Sequence, residues 1–168
     1  CTRLCHASSV AALLEGVGSG AVSNPVRDVA HAELILVIGA NPSANHPVAA
    51  TWIKNAVERG ARLVLMDPRR TDLARHAWRH VAFKPDTDVA LLNALIHIII
   101  TEGWVNQAFV RERTRDFEAL ALHVQAFTPE RMAPICGIDV ATLREVAHAF
   151  AHSPAAMVIW GMGVSQHV

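Results

Sequence analysis

The chain has 168 residues, 52% of them apolar and only 18% charged, enough to bury a substantial core. Its 15 basic residues balance 15 acidic ones, aromatics make up 5% and tyrosine is absent, which argues against a nucleic-acid surface. The longest apolar stretch, residues 89–100, is broken by Asn93 and His97 and is too short for a membrane span.

The chain opens on Cys1-Thr-Arg-Leu-Cys5-His6-Ala-Ser-Ser-Val10, a Cys-His pair just before a run of small residues that starts a helix. A helix N-terminus favours negative charge, a thiolate is a soft metal donor, and an adjacent imidazole can carry protons near neutral pH. Residues 33–40 (ELILVIGA) form a β-branched run ending in glycine, the pattern of a buried parallel strand. Residues 41–46 read as a loop and 47–59 as an amphipathic helix closed by Gly60. A second strand over 61–67 is stopped by Pro68, a short helix covers 71–76, and a third strand covers 80–83.

A long helix is predicted over 87–102, with Asp86 or Thr87 as its N-cap and Gly103 beyond its end. Residues 104–125 suit two short helices, the second starting near Asp116, and another begins at Thr128-Pro-Glu. A further helix covers 139–152, and residues 155–161 (AAMVIWG) form a last buried strand, followed by a glycine-rich turn with no helix after it. Alternation of this kind predicts an α/β fold: one Rossmann-like domain over 1–168, with an open, mostly parallel sheet and helices on both faces.

Ligands of such sheets bind beyond the carboxyl ends of the strands, so the loops there are the candidate site. The first strand leads into Gly39-Ala40-Asn41-Pro42-Ser-Ala-Asn45-His46, where glycine permits close backbone approach and a following helix suits phosphate. The second leads into Asp67-Pro68-Arg69-Arg70-Thr71, an exposed loop carboxylate for ribose hydroxyls with two cations for phosphate. The third leads into Lys84-Pro-Asp86-Thr87-Asp88, which could also simply cap a helix, and the last into Gly161-Met162-Gly163-Val-Ser-Gln166. No G-x-G-x-x-G occurs, so an ordinary dinucleotide-cofactor domain is not indicated. The pairs His76/His80 and His148/His152 have i,i+4 spacing but neither an H-E-x-x-H frame nor a cysteine pair beside them, and are read as structural. Three cysteines (Cys1, Cys5, Cys136) cannot all pair within the chain, which points to a reducing compartment, and no signal peptide is read.

Five segments occur in one order: Cys5-His6-Ala-Ser-Ser-Val, Gly39-x-Asn41-Pro-x3-His46-Pro, Met66-Asp67-Pro-Arg69-Arg70, Lys84-Pro-x-x-Asp88-x4-Asn93 and Trp160-Gly-Met162-Gly-x-x-Gln166-His167. Together they resemble the molybdopterin oxidoreductases, specifically the catalytic subunit of molybdenum- or tungsten-dependent formate dehydrogenases. The resemblance implies a metal held by two pterin guanine dinucleotides and by Cys5, with His6 moving a proton during oxidation of formate to CO2. It implies that Gly39–Asn45, Asp67–Thr71, Asp86–Asp88, Gly161, Met162, Gly163 and Gln166 line the pterin dinucleotide, and that Cys1 lies near the pterin without binding an iron–sulfur cluster. Periplasmic nitrate reductases of this family typically carry methionine after the metal ligand, so His6 favours formate over a nitrate-reductase reading.

The chain then reads as a fragment. A [4Fe-4S] segment and its bridging lysine would precede it, and a formate-orienting arginine and a C-terminal domain would follow. The implied partners are those remaining domains and electron-transfer subunits feeding an acceptor such as NAD, without nucleic acid or membrane insertion, in the cytoplasm. A non-catalytic nucleotide-binding scaffold is the other class left open.

Overall fold

The computed structural model describes residues 3–166 and divides into two compact units, Cys1–His80 with Ala155–Val168, and Val81–Pro154. The first unit carries an all-parallel sheet in the order β3-β2-β1-β4, formed by β1 (Leu34–Ile38), β2 (Arg62–Met66), β3 (Arg79–Val81) and β4 (Ala156–Trp160). β1 is central: its Ile38 lies beside Met66 of β2 on one side and Trp160 of β4 on the other, both pairings parallel.

Every residue of β1 is buried, as are Leu63, Val64, Leu65 and Met66 of β2. An unbroken apolar run with both faces covered is what a parallel strand beneath helices requires. Ile35, Val37, Leu63 and Leu65 point to one face, where they meet Ile53 and Ala56 of α3 (Pro47–Glu58) and Val29 of a 3₁₀ segment, Val26–His31. Each such side chain contributes roughly 1.5–3 kcal/mol by leaving water. α3 starts on Pro47 at its first position, and the chain turns out of it at Gly60, with φ +109°.

Three short elements depart from the sequence reading. Residues 26–31 form the 3₁₀ segment, residues 42–45 are a one-turn helix, α2 (Pro42–Asn45), rather than a loop, and a second one-turn helix, α9 (Met162–Ser165), follows β4 where only a turn was expected. Short turns of this sort carry almost no periodicity and are fixed by their neighbours. β4 is also not fully buried: Val158 is 41% exposed, because β4 pairs with β1 alone among the described residues and one of its faces is open.

The second unit is helical. α4 (Asp88–Thr101) buries Leu91, Ala94, Leu95 and Ile98, an i, i+3, i+4, i+7 stripe, against α7 (Pro129–Cys136) and α8 (Val140–Ala151). His97, which interrupts the apolar run, places Nδ1 2.9 Å from the Val124 carbonyl oxygen. Two shorter helices, α5 (Gln107–Arg113) and α6 (Phe117–His123), lie between α4 and α7 in sequence. Asn106, Thr128 and Asp139 cap α5, α7 and α8 through side-chain acceptors. No helix of the described residues is long and apolar enough to cross a membrane.

Candidate active site

The site is assembled at the C-terminal ends of β1, β2 and β4. β1 hydrogen-bonds to β2 on one side and to β4 on the other, so the chain runs away from it in both directions, and the crevice of an open α/β sheet lies at such a switch point. Beyond Ile38 the chain turns through Gly39, with φ +56°, and Gly161 N–H donates to the Ile38 carbonyl, 3.2 Å. Gly163 N–H donates to the Gly39 carbonyl, 3.0 Å. A Cβ on Gly161 would stand 2.8 Å from the Gly39 oxygen and from the Ala40 Cβ. Close backbone approach was expected at Gly39; Gly161 and Gly163 share it, and it joins the two strand-end loops to each other.

The Asn41 carbonyl accepts from Ala44 and Asn45 N–H, 3.0 Å each, and so starts α2. The side-chain oxygens Asn41 Oδ1, Ser43 Oγ and Thr71 Oγ1 are buried with no hydrogen-bond partner among the described residues. Three such atoms on the loops that follow two adjacent strands suit a ligand rich in hydroxyl, amide and phosphate groups, because a buried polar group without a partner is costly. A pterin dinucleotide has that chemistry, so the residues present fit the group. Ser43 was not singled out from the sequence; its place in a loop with a helix start behind it was the available signal.

Asp67 corrects an expectation. It is 2% exposed rather than an exposed loop carboxylate, since its Oδ1 accepts from Arg69 N–H at 2.8 Å and folds the Asp-Pro-Arg turn over it. The Arg69 guanidinium also approaches it, 3.5 Å from Nε to Oδ1, while the Arg69 side chain stays 75% exposed and Arg70 is exposed with it. His80 Nε2 lies 3.1 Å from the Asp67 carbonyl oxygen, which gives that histidine a structural contact.

Cys5 stands one residue before His6, the N-cap of α1 (Ala7–Val17), as the helix start in the sequence implied. Its Sγ lies 3.7 Å from Met162 Sδ, at the first position of α9, so Cys5 reaches the end of β4 across 157 positions of sequence. Gln166 closes α9 by donating its N–H to the Met162 carbonyl, 2.9 Å. Cys1 and His167 lie outside the described residues.

Asp86, Thr87 and Asp88 belong to the second unit. Thr87 is the N-cap of α4 by position, but its hydroxyl donates to the Lys84 carbonyl, 2.6 Å, rather than capping the helix. Asp86 holds a left-handed φ of +66°, uncommon for a non-glycine residue and a form of strain found in functional loops. Cys136 is buried in the same unit, its Sγ donating to the Thr87 carbonyl at 3.8 Å, and burial pushes its thiol up, opposed by the Thr87 side chain and Lys84. His148 and His152 stack with ring centroids 4.0 Å apart, and both meet the edge of Trp104.

A family model of the molybdopterin oxidoreductases matches residues 1–168. The chain belongs to the molybdopterin oxidoreductase family. Among curated relatives of this family, formate dehydrogenase H of Escherichia coli is 40% identical over 166 residues, covering 99% of this chain and 23% of that protein. The F420-dependent formate dehydrogenase subunit alpha of Methanocaldococcus jannaschii is 37% identical over 166 residues, 99% of this chain and 25% of that protein. The periplasmic nitrate reductase of Desulfovibrio desulfuricans is 34% identical over 177 residues, with 99% and 23% covered. The solved structure of acetylene hydratase from Pelobacter acetylenicus superposes with a TM-score of 0.77 at 30% identity, covering 84% of this chain and 21% of that one. The chain therefore spans about a quarter of the length of the curated relatives it matches.

Proposed function

We propose that residues 1–168 act as a cofactor-binding domain in the catalytic subunit of a formate dehydrogenase, which oxidises formate to CO2. The observation that carries this reading is Cys5, followed by His6, brought against Met162 at the strand ends where unpartnered polar atoms gather. The two formate dehydrogenases cited above, at 40% and 37% identity, support it.

When bound, a molybdenum or tungsten centre with two pterin guanine dinucleotides supplies the two-electron acceptor. Cys5 Sγ would be the protein's ligand to the metal, a soft donor held beside Met162 at the end of β4. His6 takes the proton released as HCOO⁻ becomes CO2, H⁺ and two electrons. Asn41, Ser43 and Thr71, whose side-chain oxygens lack partners, would hydrogen-bond the dinucleotide, and the exposed Arg69 and Arg70 would reach its phosphates. Asp86, Thr87 and Asp88, expected among the cofactor residues from the sequence resemblance, form the polar start of α4 in the second unit. A [4Fe-4S] cluster and partner subunits outside these residues would take up the electrons and hand them to an acceptor such as NAD, in the cytoplasm. Nitrate reduction is the competing reading, favoured by the 34% identity to a nitrate reductase; His6, in place of methionine, favours formate.

The test is metal analysis and turnover of the holoenzyme that carries this chain, with formate and with nitrate. Formate oxidation with molybdenum or tungsten present is expected, and Cys5→Ser should lower it by orders of magnitude while the protein still folds, because a hydroxyl is a hard and largely protonated donor. Absence of both metals, or near-wild-type turnover in a loaded Cys5→Ser enzyme, overturns the assignment.

A further inference from the structure

Helix α1 carries Cys5 at its entrance, yet it buries none of its own residues, and Leu14 and Val17 are exposed. Apolar packing therefore does little to hold it in place. What ties its first turn down is a chain of side-chain hydrogen bonds. Trp160, the last residue of β4, donates Nε1–H to Ser9 Oγ at 3.0 Å. Ser9 Oγ and Ser165 Oγ are 2.5 Å apart and share a hydrogen bond, and Ser8 Oγ–H donates to the Ser165 carbonyl, also at 2.5 Å. Ser165 is 9% exposed and the three bonds are part-buried, and a hydrogen bond weighs more away from water.

We propose that Ser9, Ser165 and Trp160 form a clamp that sets the position of Cys5, and are positioning residues for the site; the link to catalysis rests on the function proposed above. The geometry has two fixed points. At one, α9 is locked to β1 through the Gly163–Gly39 and Gly161–Ile38 backbone bonds. At the other, Ser165 and Trp160 hold α1 at Ser8 and Ser9, three and four residues past Cys5. Cys5 Sγ itself lies 3.7 Å from Met162 Sδ, on the first residue of α9. A ligand atom displaced by an ångström is enough to degrade a reacting site, which is the reason for a rigid support behind it.

The experiment has two arms. In the metal-free protein, the rate at which iodoacetamide alkylates Cys5 is followed by mass spectrometry; cleavage after Arg3 separates its peptide from Cys1. Ser165→Ala should raise that rate about five-fold, the loosening expected from loss of one hydrogen bond, and Ser165→Thr should restore it. In the loaded holoenzyme, Ser165→Ala should shift the electron paramagnetic resonance of the partly reduced metal, and Ser165→Thr should return it. Wild-type alkylation and an unchanged spectrum in folded Ser165→Ala overturn the clamp. If Ser165→Ala does not fold, Trp160→Phe, which keeps the ring and removes only the N–H, decides by the same readouts. The first arm needs no metal, so the clamp can fail or hold independently of the formate reading.

Discussion

A Cβ on Gly163 would stand 2.7 Å from the Cα of Gly39, closer than side-chain carbons approach backbone. The atoms that would have to move are main chain on both sides, and Gly39 also has φ +56°, so neither position accommodates a side chain without displacing a strand end. Gly163→Ala should destabilise the protein by about 1–3 kcal/mol, the usual cost of overpacking. Gly16→Ala is the internal control, since Gly16 lies in α1 with open space around it and alanine is the better helix former, by about 1 kcal/mol. Denaturant titration of both variants checks the contrast; equal effects would remove the strand-end lock.

Asp67 should be separable into a structural and a binding role. Asp67→Ala leaves the Arg69 N–H without its acceptor in a part-buried turn and should cost about 1 kcal/mol. Asp67→Asn keeps an acceptor oxygen at that place and should preserve most of the stability while, on the proposed function, lowering the content of bound nucleotide. Melting curves alongside chromatographic nucleotide analysis measure the two. Full nucleotide content in Asp67→Asn would confine the residue to the turn.

His6→Met should leave the metal content intact and reduce formate turnover by roughly 10²–10⁴-fold, the typical worth of a positioned general base. Loss of metal instead would make His6 a structural support for its neighbour. Undiminished turnover would take it out of the proton path.

Asp139 caps α8 by accepting from Thr142 N–H and from the Thr142 hydroxyl, at 2.8 and 2.7 Å. Those bonds hold its carboxyl below the ordinary value of 3.8. A depressed carboxylate lends stability that is present above its unfolded value and is lost as pH falls through the folded one. Asp139→Ala should therefore melt earlier than wild type at neutral pH, and the gap should close in acid below about pH 4. Asp139→Asn, which caps without ionising, should show a weaker pH dependence than wild type. A gap that persists unchanged into acid would contradict the charge-assisted cap.

The strands were legible because a parallel sheet needs continuous apolar runs, and residues 34–38 and 63–66 are such runs whatever surrounds them. Rules about strand ends then led to the loops at Gly39, Asp67 and Gly161 without any knowledge of side-chain contacts. The exposure of Val158 was not legible, since an edge strand and a central one share the same composition. Nor was the burial of Asp67, which depends on the chain doubling back at Pro68 to bring Arg69 N–H onto the carboxylate. Helix α9 depends on Gly39, and the Ser9–Ser165 bond joins positions 156 apart, so a local pattern held no trace of either.

The position of β4 in the sheet governs the order of events as the chain is made. β1 ends at residue 38, but its partner on that side begins only at residue 156, after the entire helical unit. At typical elongation rates this leaves one edge of the most apolar strand unpaired for on the order of ten seconds. An open edge of that kind is a template for pairing with another chain. A chain stopped before residue 156 would keep the edge permanently and should aggregate. The Cys5 region can settle against its support only when the last residues emerge, so any cofactor that depends on it is loaded after synthesis of this stretch is complete.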